Sequence, residues 1–213
     1  MNNTSESGKT LKGRNLAWLV ATLVLDFLVL LVLAFNTTIE ALTPDRVAAI
    51  RASLAALLPI PALLLSSLIS ADHKARLVFW RLKYPLPGSR AFSVHAPADH
   101  RIDLENLKEH IGELPVDERS QNSKWYSLYK QVESEPSVLD SHKNYLLFRD
   151  IAAMSMLLIP IVPVALYFLQ VDNTAIFISG TWFLGQYVIS ALAARSTGIR
   201  FVQNVLAVYA SKG

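Results

Sequence analysis

Four apolar blocks, each about as long as a membrane-crossing helix, constrain this chain more than any other feature of its sequence. A bilayer core of about 30 Å requires roughly 20 helical residues at about 1.5 Å each. The first block contains one charged residue, Asp26, and the other three contain none. Backbone amides in lipid must be satisfied within their own segment, so the blocks are predicted to be helices. They cover residues 16–35, 52–71, 151–171 and 174–194.

The distribution of basic residues predicts the topology. All but two of the 20 Lys and Arg residues lie in the N-terminal tail, between the second and third blocks, or after the fourth. Positively charged segments stay in the cytoplasm, so both termini and the middle segment are expected inside the cell. The first block is too long for a cleaved signal peptide and no small-x-small cleavage site follows it, so we predict a retained anchor. The expected location is the inner (cytoplasmic) membrane of a bacterium.

The predicted fold class is therefore an all-α membrane protein, in which four transmembrane helices form two hairpins with a small helical cytosolic cap between them. The outer connections are too short to fold a domain, so function is expected in the middle segment. The residues after the fourth span are predicted to form a separate amphipathic helix. The competing interpretation is that they extend the fourth span. The domain bounds are a cytosolic tail at 1–15, a first transmembrane hairpin at 16–71, a cytosolic stalk and cap at 72–150, a second hairpin at 151–194, and a cytosolic amphipathic C-terminal helix at 195–213.

Helix start and stop signals organise the cap. A stalk is predicted to continue the second span as far as Tyr84, where a Pro-Leu-Pro-Gly sequence stops it. After a turn-rich loop, Asp103 is a predicted N-cap for a short helix that ends at Gly112. The last cap helix is expected to run into the third span and to pack against the first stalk. The two longer cap helices are predicted to begin at Pro115 or Asp117 and at Pro136.

One of these longer helices carries apolar residues on a single face. They recur at i, i+3, i+4 and i+7, a spacing typical of an amphipathic helix. We predict that this face recruits a cytosolic partner if the protein is a scaffold. The residues of the face are Trp125, Leu128, Tyr129 and Val132.

Motifs for catalysis are missing from the sequence. The chain has no Cys, no glycine-rich phosphate loop, no G-x-S-x-G and no H-E-x-x-H motif. We therefore predict no enzyme activity, no catalytic residue and no cofactor. Four polar residues of the cap loop are either a metal site or simply solvated. Their spacing fits no fixed ligand pattern, so no metal is predicted. The ligands of such a site would be His95, Asp99, His100 and Asp103.

Asp26 lies near the middle of the first span. An ionised carboxylate there costs about 2.5 to 3.5 kcal/mol on insertion scales, so Asp26 is expected to face the bundle. The rise per helical residue converts position in a span into depth in the membrane. By this measure Gln186 lies within one helical turn of the depth of Asp26, and Arg51 lies nearer the outer surface. This predicted polar seam either lines an ion path or fixes helix packing through hydrogen bonds. A homo-oligomer, which we also expect, would turn the lone Asp26 into a ring.

The start of the cap is rich in basic residues and has no acidic residue between Lys74 and Arg90. These cations either meet anionic lipid headgroups, at about 1 kcal/mol each, or hold a phosphate-bearing ligand such as a nucleotide messenger beside Trp80 and Tyr84. Basic and acidic residues cancel over the whole middle segment, so general nucleic-acid binding is not expected. The candidate site comprises Lys74, Arg76, Arg81, Lys83 and Arg90.

A clamp or hinge is predicted where the cap meets the third span. There, Asp150 is expected to pair with Arg76 or Lys74. Prolines in the second and third spans can kink both helices, which a bundle that opens would require and which a static bent bundle would also show. The clamp or hinge residues are His142, Arg149, Asp150, Pro59, Pro61, Pro160 and Pro163.

Five short stretches of the chain are FWR at 79–81, PLPGSRAF at 85–92, DHRID at 99–103, WYSLY at 125–129 and LLFRD at 146–150. In these stretches the chain resembles small multi-spanning transmembrane effectors of bacterial anti-phage defence. The resemblance implies damage to the inner membrane once a sensor or cyclic nucleotide signal arrives. We predict a regulated inner-membrane effector that oligomerises and permeabilises the membrane. The alternatives are a non-catalytic membrane scaffold or adaptor for a cytosolic partner, and a channel or transporter subunit.

Overall fold

All regular structure in the described part of the chain is helical. The computed structural model describes residues 11–34, 64, 67–168 and 171–211. Most of the predicted second span lies outside these residues. The prediction of an all-helical protein is confirmed for the part that is described. The helices are α1 (Leu11–Ala34), α2 (Ala71–Phe79), α3 (Leu104–Ile111), α4 (Glu118–Val132), α5 (Pro136–Phe168) and α6 (Asn173–Ala210).

The chain divides into two compact units. The first unit is formed by Met1–Ser70 and Asp150–Ser190, and the second by Ala71–Arg149 and Ala191–Gly213. Helices α5 and α6 each contribute residues to both units. Each unit is therefore assembled from two stretches that are far apart in sequence.

The first unit has an apolar core between α5 and α6. Its buried members are Val162 and Leu166 on α5 and Phe183 on α6. Helix α5 ends at Phe168, and Asp172 then caps α6 by accepting a 2.8 Å hydrogen bond at Oδ2 from the backbone N–H of Thr174. A carboxylate at a helix N-terminus satisfies a donor that the helix itself leaves unpaired.

Large apolar side chains cover the outside of the first unit. Of the described helices, α5 and α6 are long and apolar enough to cross a membrane, and α1 contains a shorter apolar stretch, Asn15–Leu30. Only 33% of the most apolar window of α5 and 28% of that of α6 is buried, whereas a core helix of a soluble protein is mostly buried. These two helices indicate a membrane protein. The exposed side chains include Trp18, Leu25, Ile161, Tyr167, Phe168, Phe177 and Ile189.

Local capping chemistry explains the helices of the second unit. The Asp103 carboxylate accepts hydrogen bonds from the backbone N–H groups of Glu105 and Asn106, so α3 begins at the next residue, and Gly112 ends it with a φ of 77°. Asp117 caps α4 in the same way, at 2.9 Å from the N–H of Ser120. The predicted start of α5 at Pro136 is also confirmed.

The first stalk is shorter than predicted. Helix α2 ends at Phe79 instead of continuing to Tyr84, because Trp80 adopts a left-handed backbone conformation with a φ of 52°. A bend at Ile69 and a non-helical Ser70 also separate α2 from the helical residues 67–68, so α2 does not continue the predicted second span without a break. The guanidinium of Arg195 lies 5.4 Å from the Trp80 ring, a tertiary contact that local helix signals cannot predict.

The segment predicted as a loop before His100 is partly helical and lies against α4. Pro87–Arg90 forms a 3₁₀ turn and Ala91–His95 a π turn. The Gln121 side chain holds this segment, since its Oε1 accepts hydrogen bonds from the backbone N–H groups of Phe92 and Ser93 at 3.1 and 3.2 Å. Backbone donors that a regular helix would satisfy are here satisfied by one buried amide.

The C-terminal segment is the continuation of α6 and not a separate helix at 195–213. Helix α6 runs without a break to Ala210, so the competing interpretation, an extension of the fourth span, is correct for the described residues. Its apolar side chains pack in the second unit, where Phe201, Val202, Val205 and Leu206 are buried.

Candidate functional site

A buried carboxylate joins α1 to α6 inside the first unit. Asp26 is only 4% exposed, and its Oδ1 accepts hydrogen bonds from Trp182 Nε1 at 3.1 Å and from Gln186 Nε2 at 3.0 Å. Gln186 thus lies where the depth arithmetic placed it. Arg51, the third member of the predicted seam, lies outside the described residues.

The same network reaches α5. Ser155 Oγ donates to Gln186 Oε1 at 3.0 Å, so Gln186 accepts from α5 while it donates to α1. We call Asp26, Ser155, Trp182 and Gln186 the Asp26 network. Sequence reasoning missed two of its members, although Trp182 lies one turn before Gln186 on the same face of α6 and could have been found by that spacing.

The Asp26 network lies beside an apolar cavity of about 570 Å³. Trp182 and Gln186 both line this cavity, together with Leu25, Phe177 and Ile189. Hydrogen bonds to a polar group in apolar surroundings are strongly favoured, because hydrocarbon offers no alternative donors. The arrangement can hold three helices together, and two of the side chains that bond or accept within it, Trp182 and Gln186, also line space that another molecule can enter.

The five predicted basic residues do not form one site. Arg76 pairs with Asp72 at 2.8 Å, and Arg81 pairs with Glu118 at 2.6 Å. Lys74 is buried, and lysines are rarely buried unless they are paired. Arg76 and Lys83 line one cavity, whereas Arg81 and Arg90 belong to a different cluster.

That cluster contains three arginines around one carboxylate. Burial lowers the pKa of the Arg90 guanidinium, repulsion by Arg81 and Arg195 lowers it further, and Glu118 raises it. Arg195 was not predicted as part of this group, because it lies in a distant part of the sequence and is brought there by α6. Arg81 Nη1 and Arg90 Nε are buried without a hydrogen-bond partner among the described residues.

Two residues of the predicted clamp, His142 and Arg149, contact aromatic rings. The His142 ring stacks on Phe201 at 4.4 Å with an interplanar angle of 7°, and its Nδ1 lies 3.2 Å from Tyr129 Oη. Arg149 lies over the Tyr145 ring at 5.6 Å. The expected pairing of Asp150 with Arg76 or Lys74 stays a prediction, and Arg76 itself pairs with Asp72, one turn earlier on α2. Pro160 and Pro163 lie inside α5, whereas Pro59 and Pro61 lie outside the described residues.

The predicted partner face is wrong, because all four of its residues are buried in the core of the second unit. Trp125 packs edge-on against Phe201 at 5.2 Å and stacks on Tyr129 at 5.9 Å. The face is amphipathic as predicted, but its apolar side meets α6 of the same chain and not a partner. The buried residues are Trp125, Leu128, Tyr129 and Val132.

The residues considered for a metal site have other roles. His95 is buried, Asp99 pairs with Arg101 at 2.6 Å, and Asp103 caps α3. In the part of the chain that the structure describes, no group of three or more His, Asp or Glu side chains is arranged to hold a metal ion.

Comparison with known proteins gives no family for this chain. No protein-family model, no curated protein and no solved structure matches it.

Acid is expected to destabilise the second unit through His95. The imidazole is 4% exposed, and burial, with a smaller effect of Arg90, lowers its pKa from 6.5 to about 4. Because the unfolded chain binds the proton more readily, the stability that the neutral ring contributes is present above pH 6.5 and is lost as the pH falls towards 4. The full loss is about 3 kcal/mol.

Urea unfolding of the full chain in neutral detergent, followed at several pH values in this range, measures that loss. His95→Gln should reduce the dependence of the free energy of unfolding on pH, whatever its effect at pH 7, and leave the part that comes from His142, whose pKa burial also lowers to about 4. His100→Gln is the matched control, because His100 is exposed, and it should keep the wild-type slope. Equal slopes for His95→Gln and the wild type would contradict the prediction.

Proposed function

We propose that this chain is a regulated inner-membrane effector, with four spans, cytoplasmic termini and a helical cap, that oligomerises and permeabilises the membrane. The apolar exterior of α5 and α6 supports insertion into lipid. The excess of basic residues in the tails and the middle segment supports the orientation. The resemblance of five cap stretches to effectors of anti-phage defence supports the defence role.

The observation that carries the proposal is the Asp26 network. A carboxylate in apolar helices is expensive, and residues of this kind normally mark an ion or proton path or a contact between helices. Trp182 and Gln186 satisfy the carboxylate oxygen and also line the apolar cavity. In a ring of subunits, the same residue would supply several carboxylates to one pathway. We therefore assign Asp26 a part in the conducting state.

Two substitutions of Asp26 separate this role from a purely structural one. Asp26→Asn keeps an Oδ1 that can accept from Trp182 and Gln186 but removes the charge, so the protein should fold and lose permeabilising activity. Asp26→Leu also removes the acceptor and should destabilise the bundle by about 1 kcal/mol. The measurement is membrane potential and growth of a bacterial host after induction, alone and with neighbouring genes.

The expected result is depolarisation by the wild type and at least a tenfold smaller effect of Asp26→Asn at equal expression. Full activity of Asp26→Asn would restrict Asp26 to helix packing. Unchanged potential with the wild type in every combination would overturn the effector proposal. A channel or transporter subunit, the second candidate favoured by the cavity beside Asp26, would instead give flux of a specific solute without toxicity.

A further inference from the structure

A cavity of about 560 Å³ with charged residues in its lining lies in the second unit, where α2 and α4 meet the segment after Phe79. Three cations line it, Arg76, Lys83 and Arg119, against one carboxylate, Asp72. Arg119 was not among the basic residues that the sequence pointed to, because it lies on α4. The structure therefore gathers cations from three separate elements.

The positive charge of this cavity is not balanced by its own residues. Asp72 Oδ2 accepts a 2.8 Å hydrogen bond from Arg76 Nη2, which uses the single carboxylate. Arg76 Nε remains buried without a hydrogen-bond partner. Among the described residues, neither Lys83 nor Arg119 forms an ion pair. Excess guanidinium and ammonium groups around a concave site are the arrangement that proteins use for phosphate.

The segment beside the cavity has the composition of a membrane interface. Leu82 is 84% exposed and lies between Arg81 and Lys83, with exposed Trp80 and Tyr84 on either side. Both aromatic residues have positive φ, at 52° and 45°, a conformation that costs non-glycine residues energy. Exposed aromatic and aliphatic groups among cations favour the boundary between anionic headgroups and acyl chains.

We infer that this cavity binds a phosphate ester, held by Arg76, Lys83 and Arg119. Ser89 and Asn122, which also line the cavity, supply uncharged hydrogen-bonding groups. Anionic phospholipids and soluble nucleotides both carry such a group, and the exposed Leu82 favours the lipid. This inference does not depend on the proposed permeabilising activity, because it concerns binding in the second unit alone.

The test uses the full chain in a neutral detergent and measures binding of three probes by calorimetry. The probes are a short-chain phosphatidylglycerol, a cyclic dinucleotide, and inorganic phosphate. The cavity variant is Lys83→Gln/Arg119→Gln, in which both replaced side chains are exposed and no described ion pair is broken. The matched control is Lys108→Gln/Arg200→Gln, which removes the same charge from exposed positions outside the cavity.

We expect the cavity variant to lose at least tenfold in affinity for the phosphate probe that binds the wild type best, and the control to change by less than twofold. Equal losses in the two variants, or no binding of any probe to the wild type, would overturn the inference. Leu82→Ser distinguishes the source of the phosphate. It should weaken binding of phosphatidylglycerol alone if the ligand is a lipid, and it should leave binding unchanged if the ligand is a soluble nucleotide.

Discussion

Phe201→Ala is expected to destabilise the second unit by about 3–5 kcal/mol. Phe201 is buried and contacts three other rings: edge-on with Trp125 at 5.2 Å, edge-on with Tyr129 at 5.3 Å, and stacked on His142 at 4.4 Å. Aromatic pairs of these geometries add to the energy of burying the ring itself. Removing the phenyl group leaves a cavity that three large rings held at fixed angles cannot fill. Small domains are stable by only about 5–15 kcal/mol, so the effect is a large share of the total.

Thermal and urea unfolding of the full chain in detergent, followed by near-ultraviolet circular dichroism, would measure this loss. Phe177→Ala is the control, because Phe177 lies on the same helix and is 75% exposed. We expect it to change stability by less than about 0.5 kcal/mol, as surface substitutions usually do. A similar small effect of Phe201→Ala would show that the aromatic cluster does not hold the unit together.

Gly198→Leu is expected to cost about 3 kcal/mol, and Gly198→Ala about 1 kcal/mol. A methyl group at residue 198 would lie 2.9 Å from Phe79 Cζ and 3.0 Å from Tyr145 Cδ2. Those two rings are buried and lie 6.1 Å apart, so neither can move far. The gain in helix propensity from replacing glycine, roughly 1 kcal/mol, offsets part of the clash for alanine and little of it for leucine.

Gly185 provides the matched comparison, because it is also a glycine inside α6. Apart from its chain neighbours and the backbone of its own helix, no atom of the described residues lies within 4 Å of a methyl group built there. Gly185→Ala should therefore be neutral or slightly stabilising in the same unfolding experiment. If Gly198→Ala proved as harmless as Gly185→Ala, the close approach of α2 and α5 to α6 would not be a determinant of stability.

Features with a local physical cause could be predicted from the sequence. Asp103, Asp117 and Pro136 mark helix starts because a capping carboxylate or a proline acts within a few residues of itself. The similar depth of Asp26 and Gln186 was also accessible, since the rise per helical residue converts position in a span into depth. These predictions required no knowledge of which helices are neighbours.

Features that depend on tertiary neighbours could not be predicted. The apolar face around Trp125 was recognisable, but its period does not say whether the face meets the same chain or another. The positive charges after Asp72 were visible as a run, but the pairing of Arg81 with Glu118, which lies 37 positions later on α4, was not. Arg119 on α4 and Arg195 on α6 belong to the basic sites although they lie far from the charge run in sequence. A charge run gives the number of cations and not the carboxylates that will neutralise them.

The discontinuous second unit has a consequence for synthesis of the protein. Trp125 Nε1 donates to the backbone carbonyl of Val202, a pair separated by 77 positions in the chain. Everything between them, including most of two apolar helices, must be translated before the aromatic cluster can close. Contacts between such distant residues form late in folding. A nascent or prematurely terminated chain that stops before Phe201 would expose the Trp125 face, so the aromatic cluster can close only after translation has passed Val202.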